Sequence, residues 1–421
     1  RIKKMKIAFW IKSNERKINL DECQFGNPGL GGTQYEIGIV STLLKLRYPN
    51  LDITLYTDNQ RIISEIIDLV YVKSIYEMID LIERKHEILI FTQTDVNKNF
   101  YCRIKEKDIN AIAWVHNYLL YEEYKFITEL SQIKKVIFVG QQLYDYYCDS
   151  NIIKKSLIIN NCIPSSYKMR TNADTKKVVY SGALIKQKGF HILAKAWKNI
   201  LKAVPDAELY VLGGGLYGNE KDLSAYQDYC NCFLKDSDGN LMSSVKYMGT
   251  MGNEKEEFYN SIRVGVSNPT GKTETFCLSA VEFQAHGIPV VTYNGYGLID
   301  TVDDKKTGYR IKGVKACEKA IIRLLCDNEV NEKLSRQAKK FVDSQFTPDI
   351  IIPQWYSLLK EKIELEEMVD LFSYDNYKDN FKWLRFLNRK VKELFKIERG
   401  ISIQETWNYF KYKVKKIRNK N

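Results

Sequence analysis

Short apolar runs separated by longer amphipathic stretches recur along most of this chain. In the first half, Ile7–Ile11, Ile53–Tyr56, Ile88–Phe91, Ile112–Val115, Val136–Val139 and Leu157–Ile159 are such runs. Each is too short for a helix, and apolar runs of this length predict strands buried on both faces. The stretches between them have helical spacing: Tyr35, Ile39, Leu43 and Leu46 fall on one stripe. A second series starts at Val178 and continues through Leu209–Leu212, Val245–Met248, Val264–Ser267 and Pro289–Thr292. Its first helix carries Ile192, Leu193, Ala196, Trp197 and Ile200 on one face. Strands alternating with helices predict an α/β fold of two units, each a parallel sheet covered on both sides.

The boundaries follow from the breaks in this pattern. Residues 1–164 form the first unit, the polar stretch 165–177 reads as a linker, and 178–345 forms the second unit. Beyond Gly308 the spacing turns helical over Cys317–Leu325 and Asn331–Phe341. Residues 346–365, interrupted by Pro353, then read as a closing helix, and 366–421 as a separate tail.

In open parallel sheets ligands bind beyond the carboxyl ends of strands, so residues at those ends are the first candidates. Gly29-Leu30-Gly31-Gly32 follows the first strand. It fails the dinucleotide fingerprint at Gln34 and lacks the Lys-Ser/Thr ending of a phosphate-binding loop. His116 ends the Ala111–Val115 run. In the second unit Gly182 follows the first strand, and Lys188-Gly189 stands just before the next helix, where an ammonium can meet a diphosphate. Gly213-Gly214-Gly215 follows the second strand and formally opens a G-x-G-x-x-G. It has no acid at the tip of the next strand, and it reads better as a glycine turn beside a nucleotide than as a nicotinamide site. Asp236-Ser237-Asp238-Gly239-Asn240 is likewise no calcium loop: its glycine comes early and Tyr247 stands where a glutamate should.

The most informative stretch is Asn268 to Val291. Glu274 and Glu282 stand eight positions apart, and Leu278–Ala285 is compact and apolar enough for a buried helix. His286-Gly287 with Pro289 is a stop signal. The first N–H groups of that helix, at Phe276, Cys277 and Leu278 with Thr275 just before, have no internal acceptor and suit a phosphate. Glu282 lies between Val281 and Phe283, where a carboxylate needs donors such as ribose hydroxyls.

The run from Glu274 through Ala285, Gly287, Pro289, Val290 and Val291 resembles the E-x7-E segment of the retaining nucleotide-sugar glycosyltransferases of family four. Cys277 stands where that family usually has glycine. Asn161-Cys162-Ile163-Pro164 is similar to the family's N-G-I-D segment, with Cys162 and Pro164 as departures. The resemblance runs in order over about residues 5 to 365 and is strongest from 178 to 310. It implies the GT-B fold, two Rossmann-like domains facing a cleft, with the acceptor on the first and a nucleotide sugar on the second. It implies that Gly31 and Gly32 lie against the donor phosphates, that His116 approaches the donor sugar, and that Lys188, Gly182, Gly213 and Gly214 line the nucleotide. Glu274 would hold sugar hydroxyls and Glu282 the ribose, with no metal and no cofactor beyond the donor itself. One departure matters: the family places an arginine after the glycine of the first strand, and this chain has Ala183. That leaves Lys188, with Lys186 or Lys272, to meet the diphosphate, and keeps open a nucleotide-sugar-binding protein without turnover. A sugar-nucleotide epimerase or a phosphorylase relative would share the architecture.

Composition narrows the setting. At 44% hydrophobic and 28% charged residues the 421-residue chain is globular. The nine cysteines are scattered, and only Cys230 and Cys232 are close, without a second pair or histidine partner for zinc. A reduced, cytoplasmic setting is the simplest account, and no apolar run is long enough to span a bilayer. The amino-terminal RIKKMKIAFWIK passes straight into a strand and shows no signal-peptide cleavage pattern. Net charge is +12, and residues 381–421 hold 13 Lys/Arg against 3 Glu, or +10 of it. In that tail Leu384, Leu387, Val391 and Leu394 form one stripe, and Ile403, Trp407, Phe410, Val414 and Ile417 another. A basic amphipathic helix of this kind suits an anionic membrane surface on the inner face of the plasma membrane. No nucleic-acid reader motif accompanies it. The oligomeric state is not set by the sequence.

Overall fold

A computed structural model describes residues 4–12, 17–82, 88–94, 96–147, 150–171, 174–213 and 220–360, together with isolated positions at Leu387, Leu394, Lys411, Val414, Ile417 and Arg418. The strands in chain order are β1 Met5–Ile11, β2 Ile18–Asn19, β3 Leu51–Thr57, β4 Ile62–Ile63, β5 Asp68–Tyr71, β6 Ile88–Phe91, β7 Ala111–Val115, β8 Ile133–Phe138 and β9 Ser156–Ile158. They continue with β10 Lys177–Ser181, β11 Glu208–Leu212, β12 Val245–Gly249, β13 Val264–Ser267, β14 Val290–Tyr293 and β15 Gly308–Ile311.

The chain divides into two compact units. The first comprises residues 1–24, 33–161 and 351–421, and the second comprises 25–32 and 162–350. The first is built on a seven-stranded sheet of order β5-β3-β1-β6-β7-β8-β9, with every pair parallel. Parallel strands must be covered on both faces, and β6 and β7 are buried at every position. Residues 351–360, in the helix Pro348–Lys360, pack on this unit: Trp355 meets Trp114 edge-on at 4.7 Å, and Tyr356 stacks on Tyr48 at 3.6 Å.

The second unit carries a six-stranded parallel sheet of order β12-β11-β10-β13-β14-β15. The helix Phe190–Ala203 buries Phe190, Leu193, Ala196, Trp197 and Ile200 on one side. On the other side Phe283 of the helix Leu278–Ala285 seats so closely on β13 that a Cβ at Gly265 would come within 2.5 Å of its ring.

Several features differ from the sequence expectation. β15 lies just before the stretch that reads as helical, where the pattern predicts no strand. It is an edge strand of four residues, Gly308 and Ile311 buried with Tyr309 and Arg310 between, too short for alternation to register. β5 is likewise a half-exposed edge with no apolar run. The stretch 165–177, polar enough to read as a linker, packs into the second unit. Tyr167 is buried, and buried Arg170 donates to the carbonyls of Ile262 and Arg263 at 2.6 and 2.8 Å. The glycine loop 25–32 also groups with the second unit, apart from the strand it follows. The closing segment ends, within the described residues, at Lys360. The tail stripes lie outside the described residues except at Leu387, Leu394, Val414 and Ile417, which are helical and exposed.

Candidate active site

In the second sheet the strand order reverses between β10 and β13, the topological switch point where parallel α/β sheets open a crevice. The residues beyond these two strands therefore hold the best-placed polar groups. Ser181 ends β10 and Ser267 ends β13. Ser279, in the first turn of the Leu278–Ala285 helix, ties them together: its Oγ lies 3.1 Å from Ser267 Oγ and donates to the Ser181 carbonyl at 3.4 Å.

Asn268 follows β13 directly, with φ of 39°, and its side chain organises the loop. Its Oδ1 accepts from the Gly271 amide at 3.0 Å, while Nδ2 donates to Glu274 Oε2 at 2.8 Å. The Lys188 ammonium donates to the same oxygen at 2.7 Å. Lys188 is brought there by a single 3-10 turn, Lys186–Lys188, which closes on Gly189 at φ 75°. Gly189 has no room for a side chain, since its Cβ would lie 2.8 Å from the Thr270 amide nitrogen. Thr270 Oγ1 in turn donates to the Gln187 carbonyl. Two loops from neighbouring strands are thus locked face to face, and the lysine and the acid meet as a consequence.

The helix begins after Cys277, which makes no side-chain cap bond. Its first-turn N–H groups, together with the positive end of the backbone dipoles, lie beside the Lys188 and Glu274 loop in sequence and suit an anion. Thr275, Phe276 and Cys277 are buried, and Leu278 is half-buried. Burial, helped by the charge of Glu274, pushes the Cys277 thiol up to about 12, so it stays an unreactive thiol. Further along the helix Glu282 is buried and pairs with buried Lys255 at 2.8 Å.

The glycines divide. Gly213 is required: its Cβ would fall 2.0 Å from the Gly182 carbonyl oxygen, so the turns after β10 and β11 touch backbone to backbone. A Cβ at Gly32 would come 3.1 Å from Leu278 Cδ1, so Gly32, which Gly31 precedes, lies against the start of the Leu278–Ala285 helix. Gly214 lies outside the described residues. Ala183 is nearly buried and supplies no cation; Lys186 and Lys272 are exposed.

His116 belongs to the first unit and is not among the residues that the second unit brings together. Its amide donates to Gln93 Oε1 at 2.9 Å and its ring lies 4.6 Å from that of Trp114. Burial pushes its imidazole down to about 3, which makes it a neutral hydrogen-bonding group.

The chain's likeness to known proteins agrees with this geometry. Residues 166–341 match the profile of the family described as glycosyl transferases group 1. This segment is similar to the group 1 glycosyltransferases. The group 1 segment falls within the second unit and includes Lys188, Lys255, Asn268, Glu274 and Glu282. The chain is 30% identical over 255 residues to the capsular polysaccharide biosynthesis glycosyltransferase CapM of Staphylococcus aureus, a match covering 59% of each. It is 28% identical over 200 residues to the poly(glycerol-phosphate) alpha-glucosyltransferase of Bacillus subtilis, covering 47% of this chain and 28% of that one. The chain therefore spans less than two thirds of the length of these relatives. Among solved structures, Anabaena HepE in complex with UDP-glucose superposes with a TM-score of 0.64 at 14% identity, covering 84% of this chain and 99% of HepE. The fold is GT-B.

Two residues of the group 1 segment escaped the sequence reading. Asn268 is signalled only by its place directly after a strand. Lys255 sits in the charged run Asn253-Glu254-Lys255-Glu256-Glu257, which looks like a solvated surface.

Proposed function

We propose that the protein is a glycosyltransferase that moves a hexosyl group from a nucleotide sugar, with UDP as the favoured carrier, to a glycan or lipid-linked acceptor of a cell-envelope polysaccharide, with retention at the anomeric carbon. The observation that carries this is the meeting of Lys188, Asn268 and Glu274 at the switch point of the second sheet, in front of the Leu278–Ala285 helix. Support for the carrier and the acceptor class comes from similarity to HepE, solved with UDP-glucose, and to CapM, named for capsular polysaccharide biosynthesis.

In this mechanism Lys188 and the first-turn N–H groups take the departing diphosphate, Glu274 holds hydroxyls of the transferred sugar, and Glu282 holds the ribose. The acceptor hydroxyl attacks the anomeric carbon on the face that the diphosphate leaves. The bond to the phosphate oxygen breaks as the new one forms, and the hydroxyl proton passes to that phosphate oxygen. Neutral His116 is assigned a hydrogen bond to the donor sugar. Charge stabilisation on the leaving group is the dominant catalytic term. Because a lysine and backbone N–H groups supply it, the reaction needs no metal.

The test is incubation with UDP- and GDP-sugars and candidate glycan acceptors, following sugar transfer and the anomeric configuration of the product. Transfer with retention, undiminished in EDTA, is the expected result. Inversion, or turnover that stops with chelator and returns with a divalent ion, would reject the mechanism. Ala183 favours one other reading, a protein that binds nucleotide sugars without turning them over, because half of the usual diphosphate clamp is missing. Protection against thermal unfolding by a nucleotide sugar, with no transfer or hydrolysis, would decide for it.

We further assign residues 366–421 to the surface of an anionic membrane, from the net charge of +10 in residues 381–421 and the exposed helical positions Leu387, Leu394, Val414 and Ile417. Among the described residues no helix is long and apolar enough to cross a bilayer. The full chain is expected to sediment with phosphatidylglycerol vesicles and to be released as salt rises. The chain lacking 366–421 is expected to remain in the supernatant; equal sedimentation would reject the assignment.

A further inference from the structure

A carboxylate and an ammonium taken out of water together gain little stability over apolar residues of the same size. The Glu282–Lys255 pair is such a case: the two side chains are only 6% and 9% exposed. Lys255 opens the short helix Lys255–Tyr259 that precedes β13, whereas Glu282 lies in the middle of the Leu278–Ala285 helix. Only one carboxylate oxygen, Oε1, is taken by the lysine.

The surroundings of this pair are unusual in the same direction. Asn253 Oδ1 and His286 Nε2 are buried and have no hydrogen-bond partner among the described residues, and the buried Tyr167 Oη has only the Asn27 backbone beside it. They are close to the pair and to one another. His286 Nδ1 bonds the Glu282 carbonyl at 2.9 Å, and the Tyr167 ring lies 4.7 Å from that of His286. The Glu282 charge acts directly on the Tyr167 hydroxyl, which burial already holds well above its ordinary range. A Cβ at Gly26 would approach Asn253 Oδ1 to 2.6 Å and Tyr167 Oη to 3.3 Å, so these two atoms face the same small space. Buried polar atoms almost always find partners inside a folded protein. Two such atoms and a tyrosine hydroxyl gathered beside one half-used carboxylate mark a place where a polar ligand group completes the hydrogen bonding.

We propose that Lys255 is a positioning residue for the nucleoside of the donor: by holding Glu282 Oε1 it fixes the carboxylate so that Oε2 accepts from a ribose hydroxyl. This rests on the reading that Glu282 takes the donor's ribose. Its consequence is discrimination. A ribose lacking one hydroxyl leaves a buried carboxylate oxygen unsatisfied, and that penalty exists only while Lys255 keeps the carboxylate from turning to another partner.

The experiment is calorimetric binding of UDP and of 2′-deoxy-UDP to the full chain and its variants, which needs no acceptor. The unsubstituted protein is expected to bind UDP about tenfold or more tightly than the deoxy form. Lys255→Met is expected to weaken UDP binding by about tenfold to a hundredfold while barely changing the deoxy form. The gap then closes, and Lys255→Arg restores part of it. Lys188→Met serves as the contrast, since a diphosphate contact weakens both ligands alike. If Lys255→Met does not fold, Lys255→Gln, a shorter neutral side chain that keeps Glu282 in place, carries the same comparison and should also lack the gap. A gap that persists in a folded variant without a cation at position 255 overturns the proposal and leaves the ribose reading standing. No gap in the unsubstituted protein overturns the ribose reading and the proposal with it.

Discussion

Lys188→Ala is expected to lower kcat by about 10²–10³-fold, the loss found when one preorganised donor to a developing negative charge is removed. In the proposed mechanism the leaving diphosphate gains charge as its bond to the sugar breaks, and among the described residues the Lys188 ammonium is the cation that the fold fixes beside Glu274. Its position owes little to its own flexibility. The 3-10 turn ends on Gly189, which is pressed against Thr270, and Tyr180 Oη donates to the Lys188 carbonyl at 3.0 Å. Ala183 provides no substitute, and Lys186 and Lys272 extend into solvent, where an ammonium is screened and mobile. Lys188 is held by Glu274, and in the proposed mechanism the donor redistributes the pair: phosphate oxygens take the ammonium and sugar hydroxyls take the carboxylate. The alanine variant keeps the Asn268–Glu274 bond and should fold. Single-turnover measurement at saturating donor is the check. A kcat within a few-fold of the unsubstituted enzyme would remove Lys188 from the chemistry.

What the amino-acid pattern could and could not convey follows from the range of the interactions involved. Strands such as Ile88–Phe91 and Val264–Ser267 are buried on both faces, so their identity is written in consecutive apolar residues. Glu274 and Glu282 could be singled out because a turn, a helix, its stop and the next strand all surround them within two dozen residues. Lys255 is different. It is buried because a helix that begins 23 positions later brings Glu282 to it, and nothing in the local run of charges carries that information. The same holds for 165–177, where Arg170 is buried by carbonyls about 90 positions away, and for the loop 25–32, whose glycines signal a turn but not which unit it packs on. Edge strands β5 and β15 were lost for a third reason: half-exposed and four residues long, they lack enough alternation to stand out from a loop. Patterning reports burial along an element, whereas the chemistry here depends on which elements are brought together.

Gly297→Ala should show that dependence most directly, with a loss of kcat/KM of about 10²-fold from a single added methyl group. Gly297 has φ of −62° and ψ of −7°, a conformation any residue adopts, so alanine meets no backbone penalty. The obstacle is space. A Cβ at Gly297 would lie 2.1 Å from both the carbonyl carbon and oxygen of Thr275, main-chain atoms that cannot rotate aside. The Gly297 amide also donates to the Glu274 carbonyl at 3.0 Å, so the clash falls on the Thr275–Phe276 peptide, between Glu274 and the Leu278–Ala285 helix. Relief requires that loop to move by about 1 Å, and a misplacement of that size costs on the order of 10²-fold in rate. The overpacking itself is expected to cost about 1–3 kcal/mol of stability. Gly239→Ala separates the two effects. Gly239 has φ of 82° but nothing within 4 Å of its Cβ, so alanine there is strained by about 1–2 kcal/mol and leaves the site untouched. Thermal midpoints and kcat/KM measured side by side should therefore fall together for Gly297→Ala, whereas Gly239→Ala lowers the midpoint alone. Equal activity in the two variants would mean that the Thr275 peptide does not set the geometry of the reaction.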